Sequence, residues 1–227
     1  MLLQFDRLAS DRTDRVGVEI HSLIIAGWAG RDAAAIEHHI EELAALGIPR
    51  PSTTPLYHRV AAQTLTQESR LTVLGPDSSG EVEPVIVAMA AGLWVGIGSD
   101  HTDRKAEASG IALSKQLCGK PVGSRLWSYN DVEGHWDELV LRSWATIEGK
   151  RVLYQESPVS SLRTPRDLIR RYTGSATLPA GTLMFCGTPG AIGGIRPGMR
   201  FDMELSDPVL GRKLTHAYDI DVLPVVS

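Results

Sequence analysis

Several features are scarce in this 227-residue chain, and each scarcity excludes something. Cysteine occurs twice, at Cys118 and Cys186, far apart and without Cys-x-x-Cys or metal-ligand spacing. That pattern reads as reduced thiols and not as a disulfide scaffold or a zinc site. No run of six or more basic residues occurs, and the formal net charge is −4. There is thus no general electrostatic reason to bind nucleic acid or an anionic membrane. No apolar stretch reaches the ~18 residues that a membrane span needs. The opening MLLQFDRLASDR is charged too soon for a signal peptide. The expectation is a cytoplasmic protein with no nucleic-acid and no membrane partner. Repeats, low-complexity tracts and long linkers are also missing.

What is present is an ordinary globular composition, 43% hydrophobic and 22% charged, with length enough for one sizeable core. VGVEIHSLIIA, from Val16 to Ala26, is rich in β-branched residues and predicts one or two strands. Asp32 then caps a predicted helix whose apolar stripe is Ile36, Ile40 and Leu43, with Gly47 at its end and Pro49 beyond. PRPSTTP predicts extended loop. EVEPVIVAMA and LWVGIGS predict a hairpin, HTDRKAEASGIALSKQL a helix, and DELVLRSWATIEGKRVLYQES a hairpin turning at Glu148-Gly149. TPRDLIRRYT predicts a helix with Thr164 as N-cap and Pro165 at the first helical position. A strand over LPAGTLMFCG and two long late strands complete the chain. Strands outnumber helices and do not alternate with them, so the fold class is mainly β with some α. Residues 1–50 form a strand-helix segment and residues 51–227 the main β domain, together one unit.

Four patterns could carry chemistry. Glu81 and Glu83, extended at i and i+2, face the same way. Pro84 cannot donate to a ladder, which predicts an edge, a strand start or a bulge here. Asp100 ends the partner strand of the same hairpin, so Glu81, Glu83 and Asp100 can meet at one end. Three carboxylates suit a hard cation, Mg²⁺ or Mn²⁺; two acids alone would more often be a solvated pair. GTPGAIGG, residues 187–194, could bring backbone amides to an anion or be a long turn. In IEHHIEEL, His38 with Glu41 and His39 with Glu42 lie at i and i+3, each pair on one helix face, fit for activating water or simply solvated. Lys115 closes a helix before a Pro/Gly turn, where a cation suits the helix dipole.

These patterns follow an order that resembles the fumarylacetoacetate hydrolase superfamily. GWAGRDAAAIEHHIEEL resembles its G-x-N-Y…H-x-x-E segment and PLYHRVAAQTL its P-x-F-x-K-type stretch. EVEPVIV resembles the E-x-E strand, SDHTDR the D-x-S-x-R segment, and SKQLCGKPVG the lysine before a Pro-Gly turn. CGTPGAIGGIRPGMRF resembles the closing GTPxGxG signature and is the most specific match. Three departures stand out. Trp28-Ala29 replaces Asn-Tyr, Arg59 replaces a lysine, and the short turn MAAG stands where a helix usually separates the acidic strands.

The resemblance implies a β-roll of mixed sheets with a small N-terminal lid part, built into homodimers that act on 2-oxo acids. It implies Glu81, Glu83 and Asp100 as metal ligands and Lys115 as a catalytic cation. It makes His39 with Glu42 the water-activating pair, because His39 to Leu43 matches H-x-x-E-L, with His38 and Glu41 as the fallback. Thr188 and Gly187 would bind the substrate carboxylate, with Arg104 and Tyr57 nearby. Thr102 would help cap the segment that follows, and His101 would face solvent. Trp127, Tyr129, His135 and Trp136 could line the pocket or belong to core or interface. The implied reaction is hydrolysis of a C–C bond in an acylpyruvate-like acid, with hydratase, decarboxylase or tautomerase as alternatives. A metal or small-molecule binder without catalysis is the alternative of another class.

Overall fold

The structure, a computed structural model, describes residues 1–9, 12–45 and 50–226, without the side chains of residues 12, 39, 42, 43 and 45. The chain opens with β1 (Leu2–Ala9) and β2 (Arg12–Glu19), an antiparallel pair, followed by β3 (Ser22–Gly27) and α1 (Ala33–Ala45). Asp32 caps α1 as expected, its Oδ1 accepting from Ala34 N at 2.9 Å and Ala35 N at 3.0 Å. Gly47 and Pro49 lie outside the described residues. Next come β4 (Leu56–Val60), β5 (Leu65–Thr66), β6 (Arg70–Leu74) and β7 (Ser78–Ser79). The hairpin of β8 (Val82–Met89) and β9 (Gly92–Ser99) turns through Ala90-Ala91, as the short turn predicted.

The segment after β9 departs from expectation. The predicted single helix is instead β10 (Thr102–Asp103), α2 (Arg104–Glu107) and α3 (Ile111–Leu117). β10 pairs with β7, and Asp103, not Thr102, caps α2 by accepting from Ala106 N at 2.9 Å. Thr102 instead donates to the Asp100 carbonyl at 2.9 Å. The chain continues through β11 (Lys120–Pro121), β12 (Arg125–Ser128), α4 (Tyr129–Val132), β13 (Val140–Ile147) and β14 (Lys150–Pro158). Glu148 at φ 50° and Gly149 at φ 75° make the predicted turn between the last two. After them come α5 (Pro165–Thr173), β15 (Thr182–Phe185), β16 (Arg200–Asp207) and β17 (Arg212–Leu223). Thr164 caps α5, and Gly174 ends it in the left-handed conformation.

Eight strands form one sheet in the order β2-β1-β12-β9-β8-β15-β3-β4; five form another, β14-β13-β16-β17-β6. The main core lies between them, where Ile24, Val82, Ile86 and Ile97 meet Leu141, Phe201, Met203 and Tyr218. A second cluster fills the other face of the larger sheet, with Ile25, Val85, Val87 and Phe185. The architecture is mainly β with some α, in mixed sheets, as expected. β1 escaped the sequence reading, although Leu3 and Phe5 alternate inward along it.

Pro84 sits in a central strand, not at an edge, because β8 is flanked by β9 and β15. Its carbonyl accepts from Cys186 N at 3.0 Å, on the side of β15. In an antiparallel strand the missing N–H would point the same way. The regular ladder with β15 runs only from Val85 to Ala88, so it stops where Pro84 has nothing to donate.

Candidate metal centre

The register of β8 and β9 builds the centre. Val82 lies opposite Ser99, and Asp100 N donates to the Glu81 carbonyl at 3.0 Å, so the start of β8 meets the end of β9. The carboxylates of Glu81, Glu83 and Asp100 each offer an oxygen within 4.8 Å of the others. Asp100 is fully buried and Glu83 2% exposed; Glu81 is partly open. The sequence expected this convergence from strand alternation.

Three cations surround the acids. Lys115 Nζ contacts Asp100 Oδ2 and stands 3.5 Å from Glu81 Oε2. Lys120 Nζ, itself fully buried, lies 2.9 Å from Asp100 Oδ1 and also donates to the His101 carbonyl. Arg104 pairs with Glu81 at 2.8 Å and donates to Ser79 Oγ at 2.7 Å. Asp100 Oδ1 has no aligned hydrogen bond despite its ion-pair contact with Lys120. An all-oxygen donor set with a buried carboxylate oxygen that makes no aligned hydrogen bond fits a hard divalent cation, and the Lys115 ammonium already sits among the carboxylates as a cation would.

The acids differ in strength. Burial, with Asp100 and Glu81 beside it, raises Glu83 well above the usual carboxylate range, although its bond from Gly187 opposes this. Burial alone would raise Asp100 too, but Lys115 and Lys120 hold it down to about 2. Burial works against the Lys115 ammonium, yet Asp100 and Glu81 raise its pKa above the ordinary lysine value. A cation placed among the three acids would favour ionised Glu83.

The glycine-rich loop closes the centre from β15. Gly187 N donates to Glu83 Oε2 at 2.6 Å. Gly187 has φ 99°, and a Cβ there would come 2.7 Å from Ala29 Cβ, so only glycine brings the amide this close. Thr188 Oγ1 donates to the Val82 carbonyl at 2.9 Å. Gln155, buried on β14, ties the loop to the acidic strand. Its Nε2 donates to Thr188 Oγ1 at 2.8 Å and the Pro189 carbonyl at 2.7 Å, while Oε1 accepts from Val82 N at 3.0 Å.

Other expected residues lie elsewhere. His101 is fully buried, not solvent-facing. Its Nδ1 contacts Tyr218 Oη at 3.0 Å and its Nε2 Ser78 Oγ at 2.9 Å. Burial, then Lys120 and Arg104, push its pKa down to about 3. Tyr57 packs against the core between the sheets, the side opposite Glu83, and its hydroxyl donates to the Leu168 carbonyl at 2.8 Å. His38 and Glu41 are exposed on α1; the side chains of His39 and Glu42 lie outside the described residues. Trp127, Tyr129 and Trp136 are core, and His135 pairs with Asp207 at 3.0 Å. Sequence reasoning missed Lys120 and Gln155. Lys120 stands in SKQLCGKPVG, five residues beyond Lys115.

The fold and the acid cluster together define a class: proteins of the fumarylacetoacetate hydrolase fold with a candidate carboxylate metal centre. Solved structures carry the likeness. Cg1458 matches at TM-score 0.65 and 16% identity, over 94% of this chain and 85% of that one. Yeast ynq8, a fumarylacetoacetate hydrolase family protein, matches at TM-score 0.63 and 15% identity, over 92% and 96%. A 2-keto-3-deoxy-D-arabinonate dehydratase complexed with magnesium and 2,5-dioxopentanoate matches at TM-score 0.64 and 15% identity, over 91% and 75%. Within that fold the chain belongs to the family described as protein of unknown function DUF2848, which matches residues 26–218. No curated protein matches it. Among the described residues no helix is long and apolar enough to cross a membrane.

Proposed function

We propose that the protein is a divalent-metal-dependent enzyme acting on a 2-oxo acid, and that it hydrolyses a C–C bond of an acylpyruvate-like substrate. The observation that carries this is the convergence of Glu81, Glu83 and Asp100 within 4.8 Å beside a buried lysine. The dehydratase of the same fold, complexed with magnesium and a dioxo acid, supports the ligand class.

Glu81, Glu83 and Asp100 would hold Mg²⁺ or Mn²⁺. The ion would supply positive charge for the enolate that forms when the C–C bond breaks. Lys115, displaced from among the acids, would place its ammonium against the developing enolate or acyl oxygen. Thr188 and the amides of the Gly187 loop would orient the substrate carboxylate. Arg104, paired with Glu81, would hold that carboxylate in place. Tyr57 drops out of the substrate shell because its hydroxyl is committed to Leu168. In a hydrolase, His39 with Glu42, or His38 with Glu41, would activate water from α1.

The exposure of His38 and Glu41 favours a second reading, a lyase or tautomerase that uses the same centre without a water-activating pair. The test is turnover of acylpyruvates and oxaloacetate with Mg²⁺, with and without EDTA. EDTA-sensitive C–C cleavage of an acylpyruvate is expected. Silence across a panel of 2-oxo acids would contradict an enzyme and favour a binding protein. Loss of cleavage on replacing both His38 and His39 with alanine is expected of a hydrolase, and unchanged turnover would leave the lyase or tautomerase.

A further inference from the structure

One imidazole of the larger sheet takes no part in the acid cluster. His58 on β4 lies opposite Ile25, Ile25 lies opposite Phe185, and Phe185 lies opposite Val85. Opposed residues project from the same side of a sheet, and side chains alternate along a strand. His58 therefore shares a face with Val85 and with Glu83, two residues earlier. A Cβ built on Gly27, at the end of β3, would lie 3.6 Å from His58 Nε2, so the ring leans over that glycine. Gly187 follows the end of the parallel neighbour β15, packs on Ala29, and holds Glu83 through its amide. β4 and β8 lie three strand spacings apart, ~14 Å. The imidazole leans inward over Gly27 and Glu83 reaches in to the Gly187 amide, so the span left between them suits a small 2-oxo acid.

α3 borders the same gap. Gln116 Oε1 accepts from Ala61 N, just past β4, at 3.0 Å, and the adjacent Lys115 reaches Asp100. His58 is half-buried and has no hydrogen-bond partner among the described residues. Burial, and then the charge of Lys115, lower its pKa, which leaves the ring neutral at neutral pH.

We propose that His58 is the catalytic base of this centre, its Nε2 taking a proton from the carbon next to the keto group of the bound acid. The role rests on the 2-oxo acid reading above. The C3–H electron pair moves into the C2–C3 bond, and the keto π pair moves onto oxygen. The proton ends on the imidazole, so neutral ring and keto acid become imidazolium and enolate. Lys115 disfavours the imidazolium, so the proton is readily returned to the product.

The experiment follows deuterium entering the methyl group of pyruvate in D₂O with Mg²⁺, by NMR, on wild type and His58→Asn. Calorimetry of Mn²⁺ with oxalate on the same proteins reports the metal centre separately. Expected is exchange in the wild type, slowed on the order of 100-fold or more in His58→Asn, with metal and oxalate binding unchanged. His58→Gln guards against a folding defect in the first variant. Exchange within threefold of wild type overturns the role. So does a wild type that binds Mn²⁺ and oxalate but exchanges nothing, which would leave the metal centre standing. A wild type that binds no Mn²⁺ overturns the metal reading and this role with it.

Discussion

Asp100→Asn separates the electrostatics of this centre from its shape, because the two side chains are nearly isosteric. Asp100 is fully buried between two ammonium groups, Lys115 in contact and Lys120 at 2.9 Å. At that separation and an effective dielectric constant of ~20, the Lys120 attraction alone is worth about 6 kcal/mol. Asparagine still accepts a hydrogen bond and the lysines can shift, so the net cost falls to the ~3–5 kcal/mol typical of breaking a buried pair. For a chain of this size, each kcal/mol moves the midpoint by roughly 2–4 °C, so Tm should drop by roughly 6–20 °C. Calorimetric or circular-dichroism melting at pH 7 with EDTA would measure it. Adding Lys120→Met to Asp100→Asn should recover part of the loss, since it removes a stranded charge. A single variant melting within about 2 °C of wild type would refute the buried ion cluster.

Lys115→Met should bind Mn²⁺ at least tenfold more tightly in calorimetry while losing turnover, because its ammonium stands where it competes with a cation; weaker binding would contradict this. Gln155→Leu should cost about 1–3 kcal/mol in urea unfolding, because it strands the buried Val82 N–H and unties Thr188. His101 gives a pH dependence. Its folded pKa is depressed to about 3, whereas the unfolded chain protonates near 6.5. Stability is therefore highest above pH ~6.5 and falls as pH drops towards 3, by up to about 5 kcal/mol for this group. His101→Phe should flatten the decline between pH 6.5 and 4 measured without metal, and an unchanged slope would count against a neutral buried imidazole.

The parts of the fold legible in the sequence are those fixed by neighbours along the chain. The caps at Asp32 and Thr164, the Glu148-Gly149 turn and the β8–β9 hairpin each depend on a few adjacent residues. The hairpin was enough to bring Glu81, Glu83 and Asp100 together, because alternation and register follow from its short turn. What escaped depends on distant partners. His101 looks like a surface residue in GSDHTDR until Tyr218, 117 positions away, and Ser78 close around it. Gln155 joins Val82 and Thr188 only through sheet packing. Lys120 reads as part of a Pro/Gly turn and is in fact the second counter-charge of Asp100. The predicted helix over residues 101–117 failed because Thr102–Asp103 pair with Ser78–Ser79 and Gly110 parts the two remaining turns.

The central claim is that three carboxylates hold a divalent cation that a 2-oxo acid chelates. Calorimetric titration of Mn²⁺, with and without oxalate, into wild type and Glu83→Gln tests it most directly. Oxalate stands in for the enolate of pyruvate. Mn²⁺ binding that oxalate tightens, and that Glu83→Gln weakens at least tenfold, is the predicted result. A wild type that binds no Mn²⁺ under either condition would contradict it.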